Sequence, residues 1–305
     1  MKHGFGGATA LALVFALSAC GGGGGVNSTP APTPAATYAT LDQLSGTQTF
    51  ETASINVPVF RGNSSSATGY KAGSAVRVDY DASAGAYMLT SPEGYSVAMT
   101  QANYDSALSN NVRSVYGKSD STAGDNVWLW RLMVKNVRLS YTMFGTWRHV
   151  PAGSVITALR DNLFVGGVQT QKSDIPKSGT ASYDTYVGGS VMSDDTTYTL
   201  SDPNTGTSES SATFSLNFGT GSVNTTLNLA GTSYQTGVSR NFGSFTGTGS
   251  LDSGGPGFSG TLAGSNATGA FTGSLFGPQG AEMGYVWYAA GSGFEGSGIV
   301  AGIKK

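Results

Sequence analysis

Hydrophobic and polar residues alternate with a period of two in many segments of this chain, and this period predicts β-strands rather than helices. Trp128 and Trp130 fall on one face of a predicted strand, and Leu129 and Arg131 fall on the other. A turn at residues 135–136 leads into a second alternating segment that runs back. The pattern therefore predicts a hairpin near the middle of the chain.

Alternating segments separated by glycine-containing turns continue to the C terminus. They cover residues 179–192, 214–218, 223–230, 245–251, 258–263, 268–275, 283–289 and 294–303. Within the seventh segment, Tyr285 and Trp287 point to the face opposite Val286. About eight short strands of this kind indicate an antiparallel β-barrel, because closure of the sheet removes the exposed edges that promote aggregation.

Patterns in the N-terminal part are weaker. A hairpin is predicted at residues 76–89. Residues 55–59 are predicted to form an edge strand, because Pro58 has no N–H to donate to a neighbouring strand. The best helix candidate is the segment 95–110, which carries a sparse apolar stripe.

These patterns predict a mainly β protein with two folded domains. Residues 38–136 are expected to form a handle domain, a small β-sheet with little helix. Residues 137–305 are expected to form the eight-stranded antiparallel β-barrel.

The first 19 residues have the pattern of a secretory signal peptide, with Lys2, an apolar run at 8–17 and small residues before Cys20. Leu-Ser-Ala-Cys, ending at Cys20, resembles the lipobox of bacterial lipoproteins, in which the cysteine is acylated. Residues 20–37 contain a glycine run followed by a proline-rich run, which is typical of a tether. The N terminus therefore predicts a lipid-anchored domain.

Composition narrows the possible functions. The chain has 46 Gly and only 11% charged residues, and its 16 Lys and Arg against 18 Asp and Glu form no basic cluster that would bind nucleic acid. Cys20 is the only cysteine, and His149 is the only histidine after the predicted signal peptide, so no cysteine- or histidine-based metal cluster is expected. The glycine spacing at residues 291–296 matches a dinucleotide fingerprint, but too few residues follow for a βαβ unit. We therefore expect a protein that is not an enzyme and has no resident cofactor or metal.

Several spaced motifs resemble one family in order along the chain. They lie at residues 139–147, 164–170 and 175–183, and again at 273–278 and 281–284. The chain is similar over roughly 139–305 to the β-barrel domain of transferrin-binding-protein-like surface lipoproteins. This family includes members that bind transferrin, members that bind complement regulators and members that capture haem.

The resemblance implies a structural motif and a function. It implies that the C-terminal motif residues Phe276, Gly277, Pro278, Glu282 and Gly284 identify and close the barrel. It further implies a protein that is lipid-anchored in the bacterial outer membrane, with the cell surface favoured over the periplasmic face. The implied role is iron or haem acquisition, with a host or haem-carrying protein and a TonB-dependent receptor as partners.

His149 has two interpretations. It lies two residues beyond Trp147 on the same predicted strand face, so its imidazole could ligate the iron of a haem carried as cargo. A single histidine between Arg148 and Pro151 at a strand end is also typical of a surface or capping residue.

The aromatic residues around this position also have two interpretations. Candidate ligand-binding residues besides His149 are Trp128, Trp130, Tyr141 and Trp147. Such residues build protein cores, and they also anchor protein interfaces. The leading hypothesis is capture of an extracellular ligand, and the alternative is a structural or adhesive surface lipoprotein that binds a host or envelope protein and carries no small-molecule cargo.

Overall fold

The computed structural model describes residues 36–58, 68–70, 74–154, 159–202 and 207–305, which are built almost entirely from β-strands. The predicted signal peptide, Cys20 and the tether up to residue 35 lie outside the described residues. In the described part, the helices are four short 3-10 helices at Leu41–Gln43, Gln101–Asn103, Lys172–Asp174 and Pro278–Gly280. No helix there is long and apolar enough to cross a bilayer. The predicted mainly β fold class is confirmed.

Twelve strands precede the barrel in the described part. They are β1 Thr47–Glu51, β2 Ala53–Pro58, β3 Thr68–Tyr70, β4 Arg77–Asp81, β5 Ala86–Thr90, β6 Ser96–Met99, β7 Arg113–Ser119, β8 Ala123–Trp130, β9 Met133–Val134, β10 Val137–Arg138, β11 Thr142–Pro151 and β12 Arg160–Gly167. One antiparallel sheet has the order β1-β4-β5-β6, and a second has the order β3-β2-β12-β11-β8-β7. We call these two sheets the handle.

A hydrophobic core lies between the two handle sheets. Val78 and Leu89 of the smaller sheet pack in one cluster with Val127, Trp147 and Phe164 of the larger sheet. These five side chains are fully buried, because alternate residues of each strand point to the same side. The opposite face of the six-stranded sheet packs on the barrel, where Ile55 contacts the cluster of Val286.

The predicted helix at 95–110 is wrong. Its first part is strand β6, in which Val97 and Met99 point into the handle core with at most 4% exposure. The Asp105 carboxylate accepts hydrogen bonds from the N–H groups of Ala107 and Leu108, which fixes a turn in place of a helical backbone. The sparse apolar stripe was therefore a strand followed by a turn.

The predicted edge strand at 55–59 is also corrected within its described residues. Strand β2 lies between β3 and β12, and all six of its residues are buried. Pro58 occupies the last position of the strand, opposite Arg160, so its missing N–H interrupts no interior part of the ladder.

Eleven strands of the described part follow residue 179. They are β13 Thr180–Ser193, β14 Thr196–Thr199, β15 Ser201–Asp202, β16 Thr207–Ser208, β17 Ser211–Asn217, β18 Ser222–Ser233, β19 Ser239–Leu251, β20 Gly257–Ala263, β21 Ala267–Phe276, β22 Glu282–Gly291 and β23 Phe294–Lys304. Strands β13 and β17 to β23 form a closed eight-stranded antiparallel barrel, since β13 pairs with β17 at one end and with β23 along Tyr183 to Ser193. The predicted barrel is confirmed.

Strands β11 and β12 differ from the sequence-based expectation, which placed everything from residue 137 in the barrel. Both strands are hydrogen-bonded into the six-stranded handle sheet, between β8 and β2. Phe144 and Val165 on their barrel-facing side are fully buried, as are Trp147 and Phe164 on the other side. The sequence pattern of these strands indicates extended, buried backbone, but it does not show which sheet the strands join.

The barrel has two distinct ends. The corner end carries the turns at 218–221, 252–256 and 277–281, and the far end carries those at 194–195, 234–238, 264–266 and 292–293. Aromatic side chains fill the interior, where Phe214, Phe258, Phe271, Tyr285 and Trp287 are each at most 2% exposed. The interior between the two ends is therefore packed with side chains.

Candidate functional site

The Glu282 carboxylate joins the corner end of the barrel to the handle. Its Oε1 accepts a hydrogen bond from the N–H of Ser140 at 2.6 Å. Its Oε2 accepts from the N–H groups of Tyr141 and Thr142, both at 3.0 Å, and from the Thr142 hydroxyl at 2.8 Å. The donors belong to the segment leading into β11.

Two opposing effects act on the pKa of Glu282. Burial raises it, because the charged carboxylate loses hydration, and the four hydrogen bonds lower it. Burial is the larger effect, so the pKa lies above the usual value for glutamate.

The corner beside Glu282 is built by Gly277 and the Pro278–Gly280 turn. Gly277 has φ 68°, a left-handed conformation that favours glycine. A Cβ at this position would lie 2.4 Å from Cδ2 of Tyr141, so the side chain would collide with the handle segment. Pro278 then starts the 3-10 turn, and Phe276 is fully buried beside Leu139 in the cluster between handle and barrel.

Gly284 lets strand β22 contact the handle sheet closely. A Cβ at Gly284 would lie 2.6 Å from Cγ2 of Val165 and 2.9 Å from Cζ of Phe144. These distances are shorter than any ordinary contact between carbon atoms. The five C-terminal motif residues therefore surround the handle–barrel junction.

His149 belongs to a polar cluster in the handle. Its Nδ1 lies 2.8 Å from Oδ1 of Asp125, and Trp147 Nε1 donates to the same oxygen at 2.8 Å. The Tyr95 ring stacks on the imidazole with a centroid separation of 4.1 Å. The His149 side chain is only 16% exposed, and Trp147 is fully buried. These contacts fit the interpretation of His149 as a structural residue, because Asp125 occupies its Nδ1 and Tyr95 covers one face of its ring.

Trp128 and Trp130 point to the other face of the same sheet. Their registered partners on β11 are Thr146 and Phe144, which face the barrel side. The guanidinium of Arg148 lies 5.8 Å from the Trp128 ring centroid and makes two hydrogen bonds of 2.8 and 2.9 Å to Asp161. Its bond to Asp161 raises the pKa of Arg148 further.

The five candidate ligand-binding residues therefore do not converge on one site. Trp147 and His149 share Asp125, Trp128 and Trp130 lie across the sheet from them, and Tyr141 packs against the Gly277 corner. Asp125 was not predicted, although a carboxylate within an apolar alternating strand is a detectable signal for a buried polar contact.

Exposed apolar residues lie at the far end of the barrel. Tyr234 is 89% exposed and Val238 is 60% exposed, both in the β18–β19 turn. Next along the chain, the guanidinium of Arg240 donates to Asp194 at 2.7 Å and lies 5.7 Å from the Phe242 ring centroid. We call Tyr234, Val238, Arg240 and Phe242 the far-end patch. Sequence periodicity did not reveal it, because a turn has no repeating face.

The titratable residues offer little for metal chemistry. Within the ranges that the structure describes, no group of three or more His, Cys, Asp or Glu side chains lies close enough together to hold a metal ion.

Comparison with known proteins links the barrel to one family. Residues 175–303 match the model described as "C-lobe and N-lobe beta barrels of Tf-binding protein B". No curated protein sequence matches the chain significantly.

Solved structures of similar proteins include three from different bacteria. A double mutant of transferrin-binding protein B from Haemophilus parasuis Hp5 is 17% identical with a TM-score of 0.48, covering 83% of this chain and 44% of its own. The isotype 1 protein from serogroup B Neisseria meningitidis is 16% identical with a TM-score of 0.46, covering 84% of this chain and 43% of its own. The N-lobe of lactoferrin-binding protein B from Moraxella bovis is 12% identical with a TM-score of 0.34, covering 83% of this chain and 99% of its own. The chain spans less than half the length of the first two proteins, and the family assignment rests on the matched segment 175–303.

Proposed function

We propose, since residues 175–303 form a β-barrel domain of the transferrin-binding protein B family, that this chain is a binding protein and not an enzyme. Its ligand is an extracellular iron-carrying protein of the transferrin or lactoferrin type, and its role is iron acquisition. The family match of the barrel is the single observation that carries this proposal.

The far-end patch is the binding surface that we propose on the barrel. Tyr234 and Val238 expose apolar area on a turn, where it contributes nothing to the core. Aromatic residues of this kind contribute most of the binding energy in many protein interfaces. Arg240 and Asp194 add paired charges beside them that would lie at the polar rim of an interface.

Anchoring follows from the N-terminal sequence. We propose that Cys20 carries the lipid, that residues 20–37 hold the folded part away from the outer membrane, and that the protein faces the cell exterior. A TonB-dependent receptor would then accept the iron from the captured protein. Protease treatment of intact cells tests the exposed face, because only a surface protein is digested without breaking the cells.

Ligand capture is tested with the full chain purified in detergent and immobilised through its C terminus. Iron-loaded transferrin and lactoferrin are passed over it, with serum albumin as the control protein. We expect saturable binding of one of the two iron carriers and none of albumin. Binding of neither carrier would contradict the proposal and favour the structural or adhesive alternative.

The far-end patch is tested in the same assay. Tyr234→Ser is expected to weaken capture by about 30-fold, the effect of losing an interface anchor worth roughly 2 kcal/mol. Leu108→Ser is the matched control, because Leu108 is also an exposed apolar residue, at 52%, but lies in the handle. Equal weakening by both variants would argue against the far-end patch.

A further inference from the structure

A pocket of about 380 Å³ opens in the handle, away from the far-end patch. Its walls come from both handle sheets and from the segment that contains the first 3-10 helix. Six of the lining residues carry the argument, namely Asp42, Phe50, Tyr80, Tyr87, Arg131 and Arg138. We call this the handle pocket. Its volume falls in the range of small-molecule sites.

Aromatic rings form much of the wall of the handle pocket. The rings of Tyr80 and Tyr87 are stacked with centroids 4.7 Å apart and planes 24° apart. Phe50 continues this stack, with its centroid 6.5 Å from that of Tyr80 and the planes 20° apart. Near-parallel rings of this kind favour a planar, aromatic guest.

Two guanidinium groups and one carboxylate line the same pocket. Arg131 donates to both oxygens of Asp42, at 2.9 and 3.2 Å, and to the carbonyl of Leu139 at 3.2 Å. The hydrogen bond from Arg131 is the main cause that lowers the pKa of Asp42, and the charge of Arg138, the second cation, adds a smaller effect in the same direction. The pocket lining therefore carries one more positive than negative charge.

One hydrogen-bond donor of Arg131 is unpaired within the described part of the chain. Its Nε is buried and has no hydrogen-bond partner among the described residues. A buried polar atom without a partner is costly, and such atoms in native proteins often mark a place where a ligand or an ordered water binds. The unpaired Nε and the two paired terminal nitrogens of Arg131 therefore lie on one guanidinium group beside the pocket.

We propose that the handle pocket binds a small planar aromatic carboxylate. The ring of the ligand stacks on the tyrosine walls, and its carboxylate is held by Arg131 and Arg138. A guanidinium binds a carboxylate with charge-assisted hydrogen bonds, which selects an acid over its neutral amide. Asp42 competes with the ligand for Arg131, so it limits the affinity. This inference is independent of protein capture at the far-end patch.

The direct test is calorimetric titration of the full chain with benzoate as the probe. Benzamide, which has the same ring without the charge, and cyclohexanecarboxylate, which has the charge without a planar ring, are the comparison compounds. We expect saturable one-to-one binding of benzoate and at least about tenfold weaker binding of both others, from the loss of a charge-assisted hydrogen bond or of the stacking. Equal binding of benzoate and benzamide would overturn the proposal.

Variants locate the site. Arg138→Gln and Tyr80→Leu are each expected to weaken benzoate binding several-fold, while Arg77→Gln, which removes an aspartate-paired arginine of the handle outside the pocket lining, leaves it unchanged. Asp42→Asn is expected to tighten benzoate binding several-fold, because it removes the competing carboxylate. A variant with damaged folding cannot produce that gain. Unchanged or weaker binding by Asp42→Asn would contradict the proposed role of Arg131.

Discussion

Glu282 of the barrel accepts a hydrogen bond of 3.0 Å from the backbone N–H of Thr142 in the handle, across 140 residues of sequence. Together with the bonds from Ser140 and Tyr141, it satisfies three consecutive backbone donors at the start of β11. One side chain thus supplies the acceptors that a neighbouring strand would otherwise provide. These hydrogen bonds connect the handle to the barrel, so their loss is expected to lower the stability of both.

Replacing Glu282 with Gln should lower the free energy of unfolding by about 1–3 kcal/mol, because the amide NH₂ would face backbone N–H groups that need an acceptor. Urea unfolding followed by circular dichroism measures the loss. Glu209→Gln is the control, since Glu209 is exposed and a surface change of this kind is expected to stay within about 0.5 kcal/mol. Equal stability of wild type and the Glu282 variant would mean that the four hydrogen bonds contribute nothing.

The stability difference between these two proteins should also depend on pH. Because burial raises the pKa of Glu282, folding favours its protonated form. The linked stability is complete below the pKa of glutamate in the unfolded chain and is lost as the pH rises through the higher folded value. We therefore expect the advantage of wild type over Glu282→Gln to shrink across this window, measured by urea unfolding at several pH values. An advantage that grows with pH would show that the hydrogen bonds outweigh burial.

Gly284→Ala should destabilise the protein by about 1–3 kcal/mol, the usual effect of adding a methyl group to a packed contact. The new Cβ would lie 2.6 Å from Val165, so β22 and β12 must move apart. Thermal unfolding provides the measurement. Gly254→Ala is the matched control, because a Cβ there meets nothing within 4 Å, and its melting temperature is expected to stay close to that of wild type.

Asp125→Ala should cost about 1–3 kcal/mol, because it leaves the buried indole N–H of Trp147 without an acceptor. His149→Ala should cost less, since Asp125 keeps its bond to Trp147 in that variant. Chemical unfolding of the two variants gives the order of the losses. A larger loss for His149→Ala than for Asp125→Ala would show that His149 contributes more to stability than Asp125 does.

Haem binding tests the other interpretation of His149. Because its Nδ1 is hydrogen-bonded to Asp125 and its ring is stacked on Tyr95, we expect haemin to give the same Soret spectrum with wild type and with His149→Ala. A Soret shift present in wild type and absent in the variant would establish His149 as an iron ligand.

The sequence predicted the strands well where one face of a sheet is buried, since burial then follows a period of two. It could not assign β11 and β12 to the handle, because a strand pattern shows extended backbone and burial but not which sheet the strand joins. The predicted helix at 95–110 was wrong partly because the Asp105 side chain accepts hydrogen bonds from nearby backbone N–H groups and forms a turn. Apolar periodicity does not detect such side-chain hydrogen bonds.

The candidate site was predicted less completely than the fold. Glu282 was predicted as part of the C-terminal motif, but the donors to its carboxylate lie far away in sequence, and no local pattern identifies them. Asp125 was missed although a carboxylate in an apolar strand is a local signal, but its partners Trp147 and His149 lie on another strand and could not be read from that signal. Tyr234 was missed because exposure, rather than burial, distinguishes it, and exposure of a turn residue follows from the packing of all the strands around it.

The pairing of β13 with β23 has a consequence for how the chain folds. Tyr183 pairs with Lys304, and the remaining residues of β13 up to Ser193 pair back to Phe294, so the barrel closes only when the last strand is present. Pairings this distant in sequence slow folding, because chain entropy is lost before the contacts form. A chain that emerges N terminus first must therefore wait with an open sheet edge, and a chaperone that covers this edge until synthesis ends would protect it from aggregation.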